Sequence, residues 1–138
     1  MDHLLYMQSQ TEPQPIQPLR QTHKTMDLIR VPDNIFSTLF SKKGWSVMER
    51  IITDLIEGIG MVILQKITHH FHGYTGAMTS VFLLAESHFS LHTHPEHNYI
   101  ALDIFTCGES DPTEMLVRLN DIINPEKYVI TDVNRVVE

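Results

Sequence analysis

The sequence predicts an α+β fold: one antiparallel β-sheet with two helices packed on one face, in a single-domain protomer. Three observations carry this expectation. Apolar residues alternate at period two in several short stretches and recur at three- and four-residue steps in two longer ones. The strand-like stretches in the middle of the chain are joined by turns too short for anything but antiparallel pairing. The two helical stretches stand apart instead of alternating with every strand. Two helices cover one face of such a sheet, which leaves the other for solvent, a ligand or a partner subunit.

The first strand reads over residues 24–31, with Met26, Leu28 and Arg30 on one side, Asp27, Ile29 and Val31 on the other, and Pro32 ending it. A helical turn around Asn34 to Phe40 and the break Lys42-Lys43-Gly44 lead to the first long helix. There Met48, Ile51, Ile52, Leu55, Ile56 and Ile59 form one apolar stripe. Ser46 followed three residues later by Glu49 has the capping-box pattern and predicts its start, and Gly58 and Gly60 predict its end. Strands follow over residues 61–70, 78–85 and 87–93, with Gly73 and Gly76 in the first gap. Pro95-Glu96-His97-Asn98 is turn chemistry. The next strand, 99–107, turns Ile100, Leu102, Ile104 and Thr106 toward the core and Tyr99, Ala101, Asp103, Phe105 and Cys107 away from it. Asp111-Pro112-Thr113-Glu114 opens the second helix, with Asp at the cap and Pro at the first helical position. Met115, Leu116, Leu119, Ile122 and Ile123 give that helix its apolar face, and residues 128–137 form the last strand.

At 138 residues the chain has room for one domain, read as 23–138, preceded by a flexible polar extension over 1–22 that carries three Pro and five Gln. One cysteine rules out an internal disulfide framework and suits a reducing cytoplasm. No secretory signal and no apolar run of about 20 residues is visible, so a soluble protein without membrane attachment is expected. A net charge of −7 speaks against a phosphate-binding surface for nucleic acid and is compatible with a cationic small-molecule substrate.

Chemistry-bearing residues concentrate in Glu86-Ser87-His88, His92-Thr93-His94-Pro95-Glu96 and Asp103-Ile104-Phe105-Thr106-Cys107-Gly108. Three readings are open on the residues alone. His92, His94 and His97 could share a metal, since alternate residues of a strand reach one ion. Ser87 could be a hydrolase nucleophile, although no GxSxG elbow or triad partner is visible. Alternatively Ser87 is consumed by self-processing. Strand parity sets Ser87, Phe89, Leu91 and Thr93 opposite His88, Ser90, His92 and His94, so bringing Ser87 to His92 requires a bulge or break near Ser87.

The three segments, ungapped over 23 residues, closely resemble the bacterial and archaeal S-adenosylmethionine decarboxylases, small pyruvoyl enzymes of polyamine (spermidine) synthesis. The resemblance implies a zymogen that cleaves itself between Glu86 and Ser87. The Ser87 hydroxyl attacks the Glu86 carbonyl to give an ester, and loss of the Ser87 α-proton eliminates that ester. The dehydroalanine left behind hydrolyses to a pyruvoyl group capping residues 88–138. This self-derived cofactor then forms a Schiff base with the substrate amine.

By the same resemblance His92 assists processing, with Thr79 standing where the family has a serine that supports it. Cys107 corresponds to the acid that reprotonates the substrate α-carbon, a role a thiol with an ordinary pKa near 8.5 can fill at neutral pH. Glu96, His94 and Phe71 correspond to substrate-binding positions, with Tyr74 a rival to Phe71, and no metal is implied. His94 stands where the family has a tryptophan that helps hold the adenine, and His97-Asn98 replaces an aromatic followed by Gly. Relatives on this scaffold decarboxylate arginine or ornithine, so these substrates stay open, as does an uncleaved, non-enzymatic binding protein. The family's protomers pair, and residues of both line each site, which implies a homodimer of cleaved chains.

Overall fold

The structure, a computed structural model, describes residues 15–16 and 18–138. Its elements are β1 (Gln21–Ile29), α1 (Asp33–Leu39), α2 (Trp45–Gly58), β2 (Ile63–His70), β3 (Met78–Leu84), β4 (Ser87–His94), a 3₁₀ turn (Pro95–His97), β5 (Tyr99–Cys107), α3 (Thr113–Ile123) and β6 (Lys127–Asp132). The six strands form one antiparallel sheet in the order β2-β3-β4-β5-β1-β6. The α+β class with helices gathered on one face is therefore as expected. The helix count differs: the turn anticipated near Asn34 is a helix of its own, which makes three helices among the described residues. Most of the expected extension lies outside the described residues, and β1 begins at Gln21, earlier than the expected residue 24 and within the last two residues of that extension.

One side of the sheet makes the core. Met26, Leu28, Met78, Phe82, Leu84, Phe89, Leu91, Ile100, Leu102 and Ile104 are buried there. Phe36, Phe40, Met48, Ile52, Ile56, Leu116 and Leu119 come down on them from the helices. Burying one such side chain contributes roughly 1.5–3 kcal/mol, so this layer dominates the stability. Among the described residues, no helix covers the opposite face. No helix among the described residues is long and apolar enough to cross a membrane.

Two local details revise the sequence reading. The Ser46–Glu49 capping box does not form, because α2 starts at Trp45 and leaves Ser46 inside its first turn. Ser41 does the capping work instead: its Oγ accepts from the Gly44 N–H at 3.1 Å and its carbonyl accepts from the Trp45 N–H at 2.9 Å. Glu49 is left free to pair with Lys66 of β2 at 3.5 Å. At α3 the cap position falls to Pro112 and not to Asp111 as expected; Asp111 stands one residue earlier, where its carboxylate accepts from the Thr113 N–H at 2.9 Å. That bond holds the Asp111 carboxyl below its ordinary pKa.

The α1–α2 corner closes because residue 44 has no side chain. A Cβ there would sit 1.9 Å from the Thr38 carbonyl oxygen. Gly44→Ala is expected to destabilise the fold by about 1–3 kcal/mol or more, whereas Gly58→Ala, where a Cβ meets nothing within 4 Å, should change it little. Urea unfolding of the two variants checks this.

Candidate active site

Ser87 is the first residue of β4, joined to β3 by the two-residue turn Ala85-Glu86. Glu86 has φ 63°, in the left-handed region, which costs a non-glycine residue about 1–2 kcal/mol. Backbone strain thus sits on the residue whose carbonyl precedes Ser87. Ser87 itself points toward the core side and is only 7% exposed.

Cys107 ends β5 beside this turn and touches both halves of the peptide bond in question. Its backbone N–H donates to Ser87 Oγ at 3.1 Å, and its thiol donates to the Glu86 carbonyl oxygen at 3.1 Å. A donor on a carbonyl oxygen stabilises the negative charge that builds there when a nucleophile attacks the carbon. The structure therefore brings together Glu86, Ser87 and Cys107, which the sequence separates by 20 positions.

His92 and Thr79 lie elsewhere. They face each other across the β3–β4 ladder, with Thr79 Oγ1 3.0 Å from His92 Nδ1, on the sheet's uncovered face. The bulge needed to turn His92 toward Ser87 is absent: β4 pairs with both neighbours in unbroken register, and the ladder's irregularity falls at Ile63/Gln65 of β2. The tight turn at Ala85-Glu86 fixes that register from the start of the strand. Five residues of strand span about 17 Å, and the two side chains leave opposite faces, so within one chain His92 is out of reach of Ser87.

The substrate-binding candidates gather at the end of the sheet that holds His92. The His94 ring stacks on Tyr99 with centroids 5.8 Å apart, and its Nδ1 is 3.7 Å from the Glu96 carboxylate. Phe71 is exposed in the loop after β2, with its N–H on the Ala77 carbonyl and its ring 4.6 Å from that of His69. His97 is exposed on the 3₁₀ turn, and the His92, His94, His97 trio does not converge on one point. Among the described residues, the set with metal-ligand spacing is His23, His88 and Asp103. Both Asp103 oxygens, however, are taken by hydrogen bonds from the two imidazoles.

Sequence reasoning missed that last set, and Asp27. His23, Phe105 and His88 fall in one row across β1, β5 and β4. Only the strand order reveals this, because the three strands are far apart in the chain. Asp27 accepts a hydrogen bond from the Tyr99 hydroxyl. Burial first, and then this bond, push the Tyr99 phenol up to about 12.

A family model described as S-adenosylmethionine decarboxylase matches residues 23–136. Among curated relatives, the S-adenosylmethionine decarboxylase proenzyme of Methanococcus aeolicus is 38% identical over 89 residues, covering 64% of this chain and 74% of that protein. The proenzyme of the same name from Methanococcus maripaludis strain C5 is 35% identical over 89 residues, covering 64% and 71%. The fold resembles the crystal structure of the adenosylmethionine decarboxylase from Aquifex aeolicus VF5. The TM-score is 0.71 at 22% identity, covering 88% of this chain and 96% of that one.

Spectrophotometric titration of Tyr99, read as the difference from Tyr99→Phe, should give a midpoint of about 12. Asp27→Asn should lower it toward the ordinary value near 10 without reaching it, because burial persists. Between those two values the native state holds a proton that the unfolded chain has released. Stability should therefore fall as pH rises through that window.

Proposed function

The chain belongs to the S-adenosylmethionine decarboxylase family, and from that premise we propose that it is a self-processing decarboxylase of S-adenosylmethionine, making its own pyruvoyl group from Ser87 on the route to polyamines. One observation supports this above the others: Cys107 holds the hydroxyl and the carbonyl that must react, each at 3.1 Å. In processing, Ser87 Oγ adds to the Glu86 carbonyl carbon while the Cys107 thiol stabilises the oxygen, and the peptide bond gives way to an ester. A base must then take the Ser87 α-proton so that the ester eliminates. The residues around position 87 suit the group they would carry, since an N–H and a thiol already converge on the atoms from which it forms. Condensed with the substrate amine, a keto group there supplies the sink for the electron pair left when carbon dioxide departs. Cys107, at the mouth of the site, returns a proton to the substrate α-carbon. The cytoplasm, where a lone thiol stays reduced, is the natural setting.

The separation of His92 from Ser87 supports a homodimer. Val81 and Leu83 are 38% and 48% exposed on the uncovered sheet face, an apolar surface for a second copy to cover. Two sheets laid face to face about a two-fold axis perpendicular to the strands put the His92–Thr79 end of one over the Ser87–Cys107 end of the other. That arrangement carries His94, Glu96 and Phe71 of the second copy to the same place, as walls for the substrate. The imidazole of His94, stacked on Tyr99 beside Glu96, offers less area to a purine than an indole would. Arginine and ornithine are therefore the competing substrates.

Intact mass should show fragments 1–86 and 87–138 for the native chain and one uncut chain for Ser87→Ala. His92→Ala should remain uncut alone but be cut when co-expressed with Ser87→Ala, whose His92 serves the partner's Ser87. Failure of that rescue would place both residues in one chain. Carbon dioxide release from carboxyl-labelled S-adenosylmethionine, in preference to labelled arginine or ornithine, tests the substrate, and release from the amino acids alone would overturn it.

A further inference from the structure

One carboxylate on the uncovered face ties three strands together. Asp103, in the middle of β5, takes His23 of β1 on Oδ2 at 2.9 Å and His88 of β4 on Oδ1 at 2.9 Å. The Phe105 ring packs against both imidazoles, with centroids 5.5 and 5.8 Å away. His88 is the residue that directly follows the proposed cut. Once the bond between Glu86 and Ser87 is gone, the hairpin no longer joins β4 to β3, and the new group hangs from the His88 nitrogen alone. The first side chain past the cut that is held on this face is then His88, and Asp103 holds it.

We propose that Asp103 is a positioning residue that clamps the cut end of β4 through His88, with His23 bracing the other carboxylate oxygen, so that residue 87 stays in register with Cys107. This deepens the self-processing reading and rests on it. The geometry explains why a clamp is needed: Ser87 lies on the core side of the strand, whereas Cys107 points its side chain to the other face. Cutting frees residue 87 to turn toward the thiol, and the clamp confines that freedom to one residue. Because Asp103 and Cys107 share β5, the anchor and the acid keep a fixed separation. A metal is a poorer occupant of these groups. Its imidazoles need an acceptor on the far nitrogen to orient them, and His23 Nδ1 is buried with no partner among the described residues.

Asp103→Asn tests the clamp, because an amide can accept from one imidazole only. With cut protein, kcat should fall about tenfold to a hundredfold with KM within about twofold, as expected when a reacting group is misplaced. Hydrogen exchange at residues 88–91 should quicken at least about tenfold in cut Asp103→Asn but change little in uncut Ser87→Ala/Asp103→Asn, where the hairpin still holds the strand. Asp103→Glu should restore part of kcat, and chelator treatment of the native enzyme should change nothing. Equal exchange in both backgrounds would reduce Asp103 to a general sheet residue, and kcat matching the native enzyme would remove the clamp. Loss of activity on chelation would turn the trio into a metal site. Should Asp103→Asn not fold, His88→Gln carries the same measurements. A native chain that is never cut would refute the self-processing reading itself, whereas a cut, active chain indifferent to both substitutions refutes only the clamp.

Discussion

Period-two alternation along a β-strand governs this protein's chemistry. Ser87 and His92 are five residues apart on β4, so they leave opposite faces and stand about 17 Å apart. No bulge relieves the separation, because the Ala85-Glu86 turn and unbroken pairing with β3 and β5 lock the register. The two side chains thus cannot meet within one chain. Among the described residues the same sheet leaves one face bare of helices, exposes Val81 and Leu83 on it, and gathers His94, Glu96 and Phe71 at the end far from Cys107.

The near end is built by different means. There the chain concentrates local strain and donors on a single peptide bond, with Glu86 in the left-handed region and both the N–H and the thiol of Cys107 directed at its neighbours. The same cysteine would serve twice, first on the Glu86 carbonyl and afterwards on the substrate carbon. Its place at the last position of β5, before Gly108, lets one side chain reach the turn while its backbone still belongs to the sheet.

Much of this was legible in the sequence where the signal is local. The alternation of Ile100, Leu102, Ile104 and Thr106 identified β5 to the residue, and the stripe from Met48 to Ile56 identified α2. The caps show where local reading succeeds and fails. Asp111 does bond the first turn of its helix, though from one residue before the cap, but Ser46 bonds nothing at its helix start, because Gly44 packs against the Thr38 carbonyl and draws that start back to Trp45. What could not be read was pairing across distance. His23, Asp103 and His88 come from three strands whose adjacency depends on β1 inserting between β5 and β6, a topological fact with no local mark.

If each site is completed by the second chain, the kinetic order of the processing reaction reveals it. Precursor refolded from denaturant should cleave itself at a rate that rises with protein concentration and levels off once sedimentation shows only dimer. A cleavage rate constant that stays the same at concentrations where only monomer sediments would contradict the two-chain site and return His92 and Ser87 to a single chain.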